Sequence, residues 1–288
     1  MTAELVGGGC GSSPSTDAVA RHYDSIFELE AKRLLAHSPI EFAITKRNIE
    51  RWIPDRSVVA DVGIGVGNYS ALLADRDCLL HLVDISYRFL NATRGRLRDV
   101  GREPQILSER RASAVDLGHI PKHSCDAVLL LGPLYHLMER RERQAAVAEA
   151  ARILKPGGML MAAGINRLAY FRDLFRQHPE RVAGRGDAHR RFLDSGTLDP
   201  AHAPMIGFAH LTTISEFLGL FAEHFAQMAF LGVESFAGAW QEALNDLPAD
   251  AAEAWLDLVE ETASTPEGCG ASDHFLFIGT RLAGISPR

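Results

Sequence analysis

The chain has 288 residues, 47% of them hydrophobic, enough for one large domain or two small ones, and a formal net charge of −7. No run approaches about 18 uninterrupted apolar residues, and Met1 to Asp17 lacks both a basic start and an apolar stretch, so membrane insertion and secretion are not expected and a cytoplasmic location is inferred. The acidic balance argues against a phosphate-backbone partner, and Cys10, Cys78, Cys125 and Cys269 show neither CxxC spacing nor a disulfide framework, so no metal site is expected.

Residues 1–16, rich in glycine and serine, carry too little apolar surface to offset the entropy of ordering and are expected to be a flexible leader. Two helices should follow, over 17–36 and 39–52. Ser38-Pro39-Ile40-Glu41 reads as a capping box opening the second, with proline at the first helical position.

Val58-Val59-Ala60-Asp61-Val62-Gly63-Ile64-Gly65-Val66-Gly67 is a β-branched run that ends in an acid and three alternating glycines, a strand emptying into a ligand-binding loop. A second apolar run ends in Asp84, placed to accept hydrogen bonds from ribose hydroxyls. A nicotinamide-cofactor fold would share that acid, but its Gly-x-Gly-x-x-Gly fingerprint needs glycine at position 68, where this chain has Asn68. From Ser57 the rhythm is that of a parallel sheet with covering helices: strands near 57–62, 79–84, 104–108, 125–131 and 157–164, helices near 68–75, 86–99, 139–153 and 167–177. Arg94, Arg96, Arg98 and Arg102 are the nearest thing to a basic patch and read as one solvated helix face. Residues 178–210 break the rhythm with glycines, prolines and histidines and should be an irregular insertion. A helix near 213–223, a strand near 226–233, a long helical region over 235–263 and a last strand over 273–281 complete the chain.

The pattern Asp-x-Gly-x-Gly-x-Gly, Asp84, the strand 125–131, Arg152-Ile153-Leu154-Lys155-Pro156-Gly157-Gly158 and the closing strand, in this order, resemble the class I S-adenosylmethionine-dependent methyltransferases. Leu131-Gly132-Pro133-Leu134-Tyr135-His136-Leu137 resembles the Gly-Pro-Leu-Tyr-His-Leu segment of a small-molecule branch of that family. Tyr23-Asp24, a loose match over Glu28 to Leu34, Glu41-Phe42 with Thr45, and Ser272-Asp273-His274 also match that branch. The resemblance implies an α/β, Rossmann-like seven-stranded sheet, mostly parallel with an antiparallel last strand, helices on both faces and an N-terminal helical lid. One domain over 17–283 would result, with the lid at 17–53 and an insertion and cap over the acceptor site at 178–223.

For the site, the resemblance implies S-adenosyl-L-methionine as cofactor. Asp61, Gly63, Gly65 and Gly67 would hold its methionine end, Asp84 its ribose and Ile85 one face of its adenine, with Leu131 and Gly132 completing the donor contacts and Tyr23 against the sulfonium. The family's Gly-Asp-Ala after the third strand is replaced by Ala112-Ser113-Ala114, so Ser113, with Ala114, takes the adenine edge, or Asp116 does. His136 is the candidate base, with Tyr135 beside it, and Tyr170, His210 and His274 are candidate substrate contacts. The expected partner is a small-molecule acceptor, with neither nucleic acid nor membrane. Competing readings are an NAD(P)-dependent oxidoreductase and a non-catalytic S-adenosylmethionine-binding protein. The acceptor atom and the oligomeric state are left open by these residues.

Overall fold

The computed structural model describes residues 16–200 and 206–283, so the expected leader lies outside the described residues but for Thr16. The strands are β1 (Val58–Val62), β2 (Leu79–Asp84), β3 (Ile106–Arg111), β4 (Cys125–Leu130), β5 (Leu154–Ile165), the two-residue pair β6 (Thr197–Leu198) and β7 (Ala209–His210), β8 (Phe225–Gly232) and β9 (His274–Arg281). The helices are α1 (Thr16–Ser25), α2 (Phe27–Lys32), α3 (Pro39–Trp52), α4 (Asn68–Asp75), α5 (Tyr87–Asp99), α6 (Arg140–Ile153), α7 (Ala169–Gln177), α8 (Gly186–Ser195), α9 (Ile214–Leu218), α10 (Ala249–Ala263) and α11 (Pro266–Ala271).

Seven strands form one sheet in the order β3-β2-β1-β4-β5-β9-β8, with β6 and β7 apart from it. β1, β2, β3, β4 and β5 pair in parallel, and β9 runs antiparallel to both β5 and β8. Each buried strand feeds both faces because successive side chains point to opposite sides. Val128 and Leu130 join the core under α6 and α9, whereas Ala127 and Leu129 join the one under α3, α4, α5 and α10. The sheet is therefore doubly wound, as the alternating sequence rhythm requires.

The departures have local causes. The single helix expected over 17–36 is divided at Ile26, and Arg33–His37 winds as wider π turns before α3. The expected capping box does not form: Ser38 makes no side-chain cap bond, and Glu41 accepts from Arg33 Nη1 at 2.8 Å instead. The helical region expected over 235–263 splits into a 3₁₀ segment, Ser235–Asp246, and α10, because Pro248 cannot donate an amide to a preceding turn and the helix restarts after it. Residues 178–210, expected to be irregular, contain α8 and the β6–β7 pair. Their apolar residues Phe192, Leu198 and Ala209 form a third small core with Ile165 and Leu211. Cys78, Cys125 and Cys269 are free and buried, and no helix among the described residues is long and apolar enough to cross a membrane.

Candidate functional site

In such a sheet, ligands bind beyond the carboxyl ends of the strands, and two adjoining cavities lie there. The first is lined by Tyr23 of α1, the loop after β1, Asp84 and Ile85 after β2, residues 112–115 after β3, and the turn after β4. The second runs from the same glycine loop past Leu131 toward Arg33, Glu41, Tyr69 and His274. Glu30, Gly63, Gly65, Gly132 and Tyr135 line both. The first holds about 1030 Å³ of space free of protein atoms and the second about 720 Å³, each counted with its solvent mouth.

The three glycines are required for different reasons. All have positive φ, at 78° for Gly63, 52° for Gly65 and 74° for Gly67, which costs an L side chain roughly 1–2 kcal/mol. A Cβ on Gly63 would lie 2.7 Å from the Pro133 ring and one on Gly67 would lie 2.5 Å from Thr93, so both are also close-packing positions. Gly65 alone would point a Cβ into open space, at the junction of the two cavities. That is the backbone left bare for another molecule.

Two carboxylates flank it. Asp84 is 7% exposed and accepts from Ser86 N at 2.8 Å and Gly65 N at 3.2 Å. Asp61, also buried, accepts from Ser70 Oγ at 2.6 Å. Neither has a cationic partner close by among the described residues, and burial pushes Asp84 up to about 7 and Asp61 up to about 6, partly opposed by those hydrogen bonds. Two under-compensated buried acids beside open space fit a ligand that brings hydroxyl donors and positive charge, as S-adenosylmethionine does.

Ile85, Ser113 and Ala114 line the first cavity, while Asp116 does not and instead accepts from the Gly118 amide. Of Ser113 and Asp116, Ser113 is thus the one on the cavity wall. Leu131 lines the second cavity and Gly132 both. After β4, Pro133–His136 turn as a short 3₁₀ helix that sets Tyr135 edge-on to His136, ring centroids 4.6 Å apart. His136 Nδ1 bonds the Phe208 carbonyl at 2.9 Å, which requires the proton on Nδ1 and leaves Nε2 to accept from the Tyr23 hydroxyl at 2.7 Å. Burial holds His136 neutral, with its pKa lowered to about 4. Its lone pair is engaged, and it is a weak base.

Of the three expected substrate contacts, only His274 reaches a cavity. Tyr170 packs its ring 4.7 Å from Phe192 in the third core. His210 is buried against Glu216, Nε2 to Oε1 at 2.6 Å, and that carboxylate also takes Arg167 at 2.6 Å and Arg143 at 3.4 Å. Nothing among the described residues of 178–223 lines either cavity; the Phe208 carbonyl ties this segment to the cavity-lining His136. The segment's apolar residues form a core of their own that packs against Tyr135, a residue lining both cavities.

Arg33, Glu234 and Tyr69 went unrecognised in the sequence. Arg33 lay inside the loosely matched Glu28 to Leu34 segment, which was its one signal, whereas Glu234 sits just past a strand with no motif around it. Glu41, Glu234 and His274 bring three ligating atoms within 4.8 Å of one another. Arg33 on Glu41 and the His274 ring on Glu234 already use those atoms, an ion-pair arrangement rather than a metal cage.

Residues 60–162 match the family model described as a methyltransferase domain. The tRNA (carboxymethyluridine(34)-5-O)-methyltransferases of Arabidopsis thaliana and Mus musculus are each 30% identical over 109 and 111 residues, 38% of this chain in both cases. The match covers 24% and 15% of those proteins, so this chain spans a quarter or less of the curated relatives' length. Among solved structures, the putative methyltransferase complexed with the Haloferax volcanii Trm112 activator has a TM-score of 0.59 at 15% identity, over 93% of this chain and 100% of that one. The [4+2]-cyclase SpnF has a TM-score of 0.58 at 16% identity, over 96% and 99%. Geranyl diphosphate C-methyltransferase from Streptomyces coelicolor A3(2) has 0.56 at 13%, over 93% and 98%. These likenesses are likenesses of fold. By the family match, residues 60–162 are similar to a methyltransferase domain, and the cavities built above lie at the ligand-binding edge of the fold that these neighbours share.

Proposed function

We propose that the chain transfers the methyl group of S-adenosylmethionine to a small-molecule acceptor by in-line displacement. The observation that carries this reading is the pair of walled cavities meeting at bare Gly65 and Tyr135. Enclosure by α1 and the turn after β4 suits a small acceptor, and so does the net charge of −7. The donor, when bound, supplies an electrophilic methyl on a sulfonium.

In this reading Asp84 accepts from the ribose, Ile85, Ser113 and Ala114 hold the adenine, and Asp61, Gly63, Gly65, Gly67, Leu131 and Gly132 surround the amino-acid end. Tyr23 sets its ring near the sulfonium, where cation–π attraction contributes about 0.5–2 kcal/mol. His136 fixes the Tyr23 hydroxyl, a role that suits a neutral ring better than general-base work. Tyr135 lines the passage between donor and acceptor. Segment 17–53 serves as a lid, and the chain works in the cytoplasm as a single methyltransferase domain.

A second reading, tRNA methylation, is favoured by the curated relatives. Against it, two arginines of this region are paired locally, Arg94 of α5 with Glu109 at 3.3 Å and Arg102 just beyond it with Asp77 at 2.9 Å, while Arg96 donates to Asn68 at 2.6 Å. Incubating the protein with methyl-labelled donor and either a low-molecular-weight metabolite extract or total tRNA separates the two. Label in the small-molecule fraction supports the proposal, and label confined to tRNA overturns it. Label in neither, with donor bound, points to a non-transferring protein of this fold.

A further inference from the structure

The far wall of the second cavity is formed where β5 ends, β9 begins and the chain leaves β8. Ile165 pairs with His274 across β5 and β9, and Glu234 follows the last residue of β8 by two positions. Glu234 is fully buried. One of its oxygens accepts from Ser272 Oγ at 2.5 Å and from the His274 amide at 2.9 Å, and the other accepts from His274 Nδ1 at 2.5 Å. The carboxylate is thus spent on orienting one imidazole. With Nδ1 the donor to Glu234, Nε2 has no hydrogen-bond partner among the described residues, and the ring lines the cavity.

The surroundings keep that ring charged. Glu41 Oε2 lies 3.9 Å from Nδ1, and Arg33, bonded to Glu41 at 2.8 Å and to Glu30 at 2.9 Å, faces it from the N-terminal segment. Burial and Arg33 oppose the charge on His274, but Glu41 and Glu234 outweigh them and raise its pKa, while His274 in turn lowers that of Glu234. A charged N–H in a part-buried site costs free energy unless an acceptor meets it. Glu30, Glu41 and Asp61 line the same cavity, so a dianion such as phosphate would be repelled whereas a single carboxylate could be met by His274 locally.

Resting on the donor-binding reading above, we propose that Glu234 is a positioning residue that holds His274 as a cationic N–H donor for a carboxylate. That carboxylate belongs either to the donor's amino-acid tail or to an acidic acceptor.

The test follows the His274 ring resonances by NMR in the full isotope-labelled chain, with three probes. S-adenosylhomocysteine carries the tail, 5′-methylthioadenosine lacks it, and benzoate added to the S-adenosylhomocysteine complex supplies a free carboxylate. A shift with the first and not the second assigns the tail. A shift on benzoate alone assigns the acceptor. In the first case His274→Gln and Glu234→Gln each weaken S-adenosylhomocysteine by about tenfold and spare 5′-methylthioadenosine; in the second they abolish the benzoate response. A ring unmoved by all three probes, while calorimetry registers S-adenosylhomocysteine, overturns the inference alone. Equal losses for both nucleosides mean a merely structural role and also overturn it. Should Glu234→Gln fail to fold, His274→Gln carries the comparison. No heat with S-adenosylhomocysteine overturns the donor-binding reading as well.

Discussion

The two cavities share one loop and are built by different means. The first is shaped by main chain: Gly65 left bare, Asp84 anchored by two amides, and the residues after β2, β3 and β4 following from strand position alone. The second is shaped by side chains from distant segments, with Arg33 clasping Glu30 and Glu41 while Glu234 grips His274. A backbone-built site is rigid and tolerates few substitutions at its glycines. A side-chain-built site can be retuned one residue at a time, which makes it the part that would vary with the ligand.

The largest test of this contrast is Gly65→Val, which adds bulk at the junction and strains a φ of 52°. Calorimetry is expected to show S-adenosylhomocysteine binding weakened at least about hundredfold with circular dichroism unchanged, since the backbone strain costs only about 1–2 kcal/mol. Retained binding would mean that the first cavity does not depend on its main chain.

Asp84 and Asp61 give a pH test with a definite sign. Both titrate in the fold at about 7 and about 6, above their ordinary 3.8. Raised folded values mean that the folded state binds protons more tightly, so the ligand-free protein gains stability as pH falls from 7.5 to 5.5, on the order of 2 kcal/mol for the two together. Asp84→Asn should remove most of that slope in thermal melts. Donor affinity should run the other way and weaken below about pH 7, because ribose hydroxyls donate to the ionised carboxylate. A flat melting profile would show that the acids are already compensated.

Tyr23→Phe sharpens the contrast more gently. It keeps the ring contacts with Phe89 and His136 but deletes the hydroxyl bond to Nε2, a loss of about 0.5–1.5 kcal/mol, seen as a few-fold weaker S-adenosylhomocysteine affinity. The smallest expected effect is none: Arg94→Gln on the outer face of α5 should leave tRNA retention at background, and measurable salt-dependent binding that falls in this variant would revive the tRNA reading.

The sequence by itself determined the parts whose chemistry is contiguous. The β-branched run into Asp61 and the glycines, the acid at Asp84 and the alternation of apolar runs specify a doubly wound sheet and a nucleotide-like ligand, because strand, turn and loop are properties of neighbouring residues. Even there, the reason for Gly63 and Gly67 was hidden, since Pro133 and Thr93 crowd them from other parts of the chain. Only the tertiary structure decided the rest. Tyr23 meets His136 across 113 residues, and Glu234 meets His274 across 40, because α1 crosses the carboxyl edge and β9 inserts between β5 and β8. Glu41 could equally have capped its own helix, and only the approach of Arg33 drew it into the second cavity. Local patterns fix which backbone each segment adopts, but burial and charge pairing across the sheet order fix which side chains meet.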